Sequence, residues 1–488
     1  MFAKRTRSLL CLYTATAFCS LNPMLSYAEG NELPDIGTVA GATLSIDQEL
    51  QYGDAYMRII RGTQPVINDP VMSEYVDTLG HRLVSHAQNV KTPFHFFLIN
   101  DQEINAFAFF GGYVALHSGL FLYTQSESEL ASVMAHEISH VTQRHLARSM
   151  EDQAKQTPAT IAALAGSLLL AIAAPTAGIA AITATTAGSL QGRLNYTRAY
   201  EKEADRFGMQ VLAKSGFDVM AMPRFFSRLA AESRYSSKPP EMLLTHPLPQ
   251  SRITDSRERA QSYPQIHPKA SLRFNLARAR AIARYAGLSE QAALAWFNRT
   301  EQKTAPSVES AFEYGKALVY LDNKKLQQSE KILSKLLKSD PDNDFYLDGM
   351  SDLYLALKQA PKAQAMLKKA LDENPDNSVL LINYANVLLK EEKYESAIQV
   401  LHRYTHDHPD DPNGWSLLSE ASSRLGNSEE DLAARAELLA LKAQWNKAIQ
   451  YYTQASQIAK LGSLEQARYD ARIDQLIVQR ERFMALQK

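Results

Sequence analysis

Hydrophobic and polar positions follow two rhythms along the chain. From Ala270 onward apolar residues recur at helical spacing with no strand-like alternation, whereas residues 31–262 mix helical periodicity with one strand-like passage. The helical half also repeats itself. Ser339-Asp340-Pro341-Asp342-Asn343 returns as Glu373-Asn374-Pro375-Asp376-Asn377 and again as His408-Pro409-Asp410-Asp411, so Pro341, Pro375 and Pro409 stand 34 residues apart. Tyr384, Ala385, Leu388, Ala397 and Leu401 fall where two antiparallel helices interlock, and Met350, Tyr354, Ala363, Leu367 and Ala370 do so in the preceding unit. Small residues let the helices approach, and each proline stops the second helix of its pair.

A 34-residue helix-pair period is that of the tetratricopeptide repeat. Irregular copies flank the regular ones: a unit closing at Pro341, another around Trp445, Ala448, Tyr452 and Ala455, and a degenerate first pair over residues 272–300. The polar stretch after Gly462 reads as a terminal capping helix. The expectation is an all-α solenoid over residues 271–488, whose concave face suits peptides or partner proteins and which carries no catalytic chemistry. A scaffold that merely positions the preceding domain is the plainer alternative. Pro264 and Pro268 mark residues 263–270 as a linker.

Chemistry concentrates upstream, in residues 29–262. His136-Glu137-Ile138-Ser139-His140 follows an apolar helical entry, Glu129 to Ala135. Positions four apart on a helix lie about 40° apart around its axis, so both imidazoles project to one side and can grip one zinc ion. Glu137, turned about 100° away, can hold the attacking water without occupying the metal. A third ligand is needed. The metzincin pattern would place Gly at 143 and His at 146, where the chain has Gln143 and Leu146. His145 lies about 140° round from His140 on a continued helix and reads as a surface histidine. Glu201 is the better candidate, because Asp205 shares its helical face and can accept the N–H of a ligating histidine. Glu203, on another face, is the runner-up.

His136-Glu137-x-x-His140 with Glu201-x-x-x-Asp205 resembles the gluzincin metallopeptidases of the group holding the HtpX heat-shock proteases and the CaaX prenyl proteases. Asn105 to Ala108, Gly111 to Leu116, Thr245-His246-Pro247 and Arg252 agree with that family, and the likeness covers roughly residues 45–260. The resemblance implies an α+β peptidase domain, mainly helical with a small sheet, that hydrolyses peptide bonds with one zinc ion per chain and Glu137 as general base. It implies that Gly112, Tyr113, Val114 and Ala115 lie on an edge strand pairing with extended substrate, an ordinary core strand being the alternative. His246 either stabilises the oxyanion or fills the open metal position as a switch that holds the enzyme latent. Arg252 stabilises the oxyanion or pairs with an acidic neighbour.

The ends and the charge complete the expectation. Lys4, Arg5 and Arg7, an apolar run from Leu9 to Phe18, and Ser26-Tyr27-Ala28 have the build of a secretory signal over residues 1–28, cut after Ala28. Both cysteines, Cys11 and Cys19, lie inside it, so the mature chain has no thiol and its metal ligands must be His and carboxylate. The full 488 residues carry 52 Lys+Arg against 53 Asp+Glu, which offers nucleic acid no basic face. With the signal in front and the repeats behind, the chain resembles the periplasmic protease-chaperones of outer-membrane β-barrel assembly. That implies misassembled barrel proteins as substrates and docking on the assembly machinery through the repeats. A chaperone or adaptor whose peptidase is held latent is the competing reading. Residues 156–192 carry no charge but are rich in Ala, Gly and Thr, and read as a helical hairpin that covers the site or makes peripheral membrane contact, or as a buried helix pair.

Overall fold

The computed structural model describes residues 44–156, 198–235, 239–301 and 305–485. The signal segment 1–28 and nearly all of the uncharged stretch lie outside the described residues. Among the described residues no helix is long and apolar enough to cross a membrane.

A four-stranded sheet lies near the start, in the order β1 (Val66–Ile67), β2 (His95–Ile99), β4 (Tyr113–His117), β3 (Ala106–Phe109). β2 runs parallel to β4, and β1 and β3 run antiparallel to their neighbours. Both faces of the sheet are covered, which is why its strands are apolar almost without interruption. Phe96, Leu98, Ala108, Val114 and Leu116 share a core with α2 (Pro70–Val84) and α4 (Glu127–Thr142). Phe97, Ile99, Phe107, Phe109 and Ala115 pack on α1 (Ile46–Thr63) and α5 (His145–Gln156).

This topology corrects the expected substrate edge. Val114 and Ala115 lie in β4, bonded to β2 on one side and β3 on the other, so β4 offers no free backbone and is a core strand. Gly112 lies in the turn before it, at φ 81°, where a Cβ would come within 1.8 Å of the Pro93 carbonyl oxygen. Strand β3 is the edge on the side of α4.

The short α3 (Leu120–Tyr123) precedes α4, and beyond α5 come α6 (Arg198–Lys214), α7 (Ala221–Tyr235), the single turn α8 (Met242–Thr245) and α9 (Gln250–Gln261). Residues 262–271 form neither helix nor strand. Among the described residues six helix hairpins follow: α10 (Leu272–Arg284) with α11 (Glu290–Glu301), α12 (Glu309–Asp322) with α13 (Leu326–Ser339), α14 (Asp344–Ala356) with α15 (Ala360–Glu373), α16 (Ser378–Lys390) with α17 (Tyr394–Asp407), α18 (Pro412–Leu425) with α19 (Ser428–Ala440), and α20 (Trp445–Ile458) with the capping α21 (Leu464–Ala485). The architecture is thus an α+β domain followed by an all-α repeat stack.

The 34-residue period is written in the backbone too. Lys324, Lys358, Glu392 and Gly426 occupy the turn inside successive hairpins with φ of 63°, 58°, 59° and 83°. Asn343, Asn377 and Asp411, next to the periodic prolines, accept a backbone N–H at the start of α14, α16 and α18.

The stack does not stand apart from the first domain. Helix α2 packs on α10, α14 and α16, the first helices of three hairpins, so part of the concave face is already covered. Asp69, which caps α2, sits 2.6 Å from Arg280 Nε, and Arg280 Nη1 reaches Asp348 at 2.6 Å and the Tyr314 hydroxyl at 2.7 Å. All four groups are buried. At the far end Arg58 of α1 donates to the Ala440 carbonyl at 2.8 Å and lies over the Trp445 ring.

Candidate metal centre

Helix α4 begins at Ser126, whose hydroxyl accepts from Glu129 N–H. Its next three turns are buried almost completely, carrying His136, Glu137 and His140 into the core. Helix α6 crosses it closely because Gly208 presents no side chain: a Cβ there would lie 3.1 Å from the Ala135 carbonyl group and the His136 nitrogen. That contact brings the same face of α6, with Asp205 and Glu201 one and two turns earlier, against the two histidines. His246 arrives from the end of α8.

His136, His140, Glu201 and His246 converge, each offering one atom within 4.8 Å of the others. His136 Nε2 lies 3.0 Å from His140 Nε2, 3.4 Å from His246 Nδ1 and 3.5 Å from Glu201 Oε2. Glu201 Oε1 lies 3.5 Å from His140 Nε2 and 3.1 Å from His246 Nδ1. Three ring nitrogens and a carboxylate are donors that zinc takes, and ligand atoms ~2.0–2.1 Å from one ion at tetrahedral corners stand ~3.3 Å apart. The cluster could therefore close on one ion with small side-chain adjustments.

Around it, charge is arranged in depth. Asp205 Oδ1 lies 3.0 Å from His136 Nδ1, which keeps the proton on that nitrogen and turns the Nε2 lone pair inward. Arg252 donates from Nε and Nη2 to Asp205 at 2.7 Å each, and its Nη1 pairs with Glu201 Oε2 at 2.7 Å. Burial opposes charge on His136, but Asp205 and Glu201 outweigh it and push the imidazole up to about 10. Burial, then the neighbouring histidines, hold His140 well below the usual imidazole range. Glu201 stays far below the ordinary carboxylate range despite burial, because His246 and Arg252 face it. The centre favours positive charge, as a proton or a cation.

Glu137 is fully buried, and neither of its oxygens has a hydrogen-bond partner among the described residues. Its Oε1 lies 3.5 Å from His246 Nε2. His246 thus spans the donor cluster with one ring nitrogen and faces Glu137 with the other. Of the two roles foreseen for Arg252, the geometry carries the pairing with acidic neighbours, since all three guanidinium nitrogens are engaged.

His145 is not a surface residue. It is fully buried, its Nδ1 lies 2.9 Å from His140 Nδ1, and its Nε2 lies 3.3 Å from Glu203. The 140° estimate assumed an unbroken helix, but Arg144 turns the chain at φ 53° and swings α5 back toward α4. Arg144 itself reaches Glu49 at 2.8 Å and the Leu44 carbonyl at 2.6 Å. Glu203 bonds Arg148 at 3.0 Å as well as His145, away from the donor cluster.

The model of peptidase family M48 matches residues 70–260, and that of the tetratricopeptide repeat matches residues 354–421. A Vibrio cholerae protein described as a beta-barrel assembly-enhancing protease is 69% identical, with 99% of each chain covered. Beta-barrel assembly-enhancing proteases of Escherichia coli K12 and Yersinia pestis are each 50% identical, covering 92% and 93% of this chain and 92% and 94% of theirs.

Proposed function

Because the chain belongs to the beta-barrel assembly-enhancing proteases, metalloendopeptidases of peptidase family M48, we propose that it is a zinc endopeptidase of the periplasm acting in quality control of outer-membrane β-barrel proteins. The observation that carries this is the convergence of His136, His140 and Glu201 beside the buried carboxylate of Glu137, whose oxygens accept no hydrogen bond among the described residues. Hydrolysis belongs to residues 29–262 and recognition of barrel proteins and their assembly machinery to residues 271–488. The signal-like residues 1–28 direct export.

His136, His140 and Glu201 would hold the zinc, which when bound would lower the pKa of water toward about 7 and polarise a carbonyl. Glu137 takes the proton from the attacking water and delivers it to the leaving amine. Asp205 fixes the ring of His136, and Arg252 offsets the charge of Asp205 and Glu201 so that both carboxylates stay ionised while buried. The outer edge of β3, beside α4, is the backbone against which an extended substrate would pair.

His246 occupies the fourth corner of the donor cluster in this reading and faces Glu137, so water and substrate enter only when it leaves. This supports a latent peptidase and keeps a chaperone or adaptor role in view. Glu137→Gln should retain wild-type zinc content and its fold while casein hydrolysis falls about 10²–10⁴-fold. Undiminished hydrolysis would overturn the assignment. Rescue of barrel assembly by the same variant would favour the chaperone role, and failure of rescue would favour hydrolysis.

A further inference from the structure

A second group of ligand-type side chains gathers at the end of the sheet, away from the residues used above. Asp101 follows β2, His117 ends β4, and Glu241 precedes α8. One atom of each lies within 4.8 Å of the others. His117 and Glu241 are buried, at 5% and 6% exposure, while the Asp101 side chain is 43% exposed. His117 Nδ1 lies 3.9 Å from Asp101 Oδ2 and has no hydrogen-bond partner among the described residues. The Oδ1 atom of Asn105, fully buried beside this group, is likewise without one.

A buried ring nitrogen 3.9 Å from a carboxylate and without a hydrogen bond is poorly satisfied by protein alone. We propose that Asp101, His117 and Glu241 form a second divalent-cation site, filled by a zinc-like ion, that anchors the turn leading to His246. One imidazole and two carboxylates suit zinc or manganese better than calcium, which takes six to eight oxygens. The exposed side of Asp101 gives the ion a way in.

The placement of Glu241 gives the site its consequence. Asn105 donates to Glu241 Oε2 at 3.4 Å, and Met242 N–H bonds the Ile104 carbonyl at 3.1 Å. Five residues on, across one helical turn, stands His246. A cation at Glu241 would tie down the base of that turn and favour His246 in the fourth corner; removing it would free the turn. This coupling rests on His246 acting as the occupant of the zinc position, whereas the cation site itself does not.

The test uses the full mature chain, equilibrated with zinc-buffered solution and measured by elemental analysis. Two zinc ions per wild-type chain and one in Asp101→Asn are expected, because the asparagine keeps the Oδ1 acceptor that bonds Glu103 N–H at 2.9 Å. Glu241→Gln should match it, with circular dichroism reporting the fold of both. Equal zinc in wild type and both variants would overturn the site. His136→Ala should lose one ion and keep the other; if it loses none, the fault lies with the first site. Amide exchange over residues 239–247 should slow with the second equivalent of zinc in wild type only, and equal slowing in Asp101→Asn would overturn the coupling.

Discussion

Arg252 answers two buried carboxylates with one guanidinium, and the consequence of losing it follows from what would be left behind. Arg252→Met would strand Asp205 and Glu201 as uncompensated charges, so a loss of about 3–5 kcal/mol in urea unfolding is expected, with zinc binding weakened in the same variant. Asp205→Asn leaves the donor atoms in place but weakens the hold on His136, and metal affinity should fall about 10–100-fold in a chelator competition. For His246 the sign of the change decides its role. His246→Ala should raise casein hydrolysis if the ring blocks the fourth corner and lower it if the ring serves the reaction. Much of this constellation is legible in the chain: four-residue spacing puts His136 with His140 and Glu201 with Asp205, since both pairs lie inside unbroken helices. His145 was not legible, because the left-handed Arg144 resets the helical phase between it and His140. Nor was the double pairing of Arg252, which depends on how α9 meets α6.

Helix α6 approaches α4 through Gly208, whose missing side chain sets the distance between the two halves of the donor cluster. Gly208→Val would press on the Ala135 backbone and push Glu201 and Asp205 away from His136. An overpacking cost of about 1–3 kcal/mol is expected, and zinc retention should drop although no ligand was changed; full retention would show that the helices have slack. The hairpin turns offer the opposite case. Lys358 stands at φ 58° where Gly426 stands at 83° in an equivalent turn. Lys358→Gly should therefore be tolerated and should stabilise by up to about 1 kcal/mol, because relief of a left-handed side chain outweighs the added freedom of the unfolded chain. The repeat period, the proline stops and the helix pairs could be read directly from residue spacing. The strand order could not: the apolar runs of β2, β3 and β4 look alike, and only their pairing makes β4 internal and β3 an edge.

The first domain and the repeats are joined through a buried polar hub that no local pattern announces. Asp69, Arg280, Asp348 and Tyr314 come from α2 and three different hairpins. Arg280→Met would leave two aspartates buried without their cation, and a loss of about 3–5 kcal/mol is expected, visible as a lowered melting temperature of the full chain. Repeat stacks elsewhere can gain or lose units because each unit touches only its neighbours. Here the first hairpin is seated on α2 and α3 while the last two are held by Arg58, the fifth through the Ala440 carbonyl and the sixth through Trp445. The repeat number is accordingly a closed dimension, like the span of a bridge between two fixed piers. Deleting one 34-residue unit would move the Trp445 anchor out of reach of α1, so length changes in this half should be accepted only in loops and never as whole repeats.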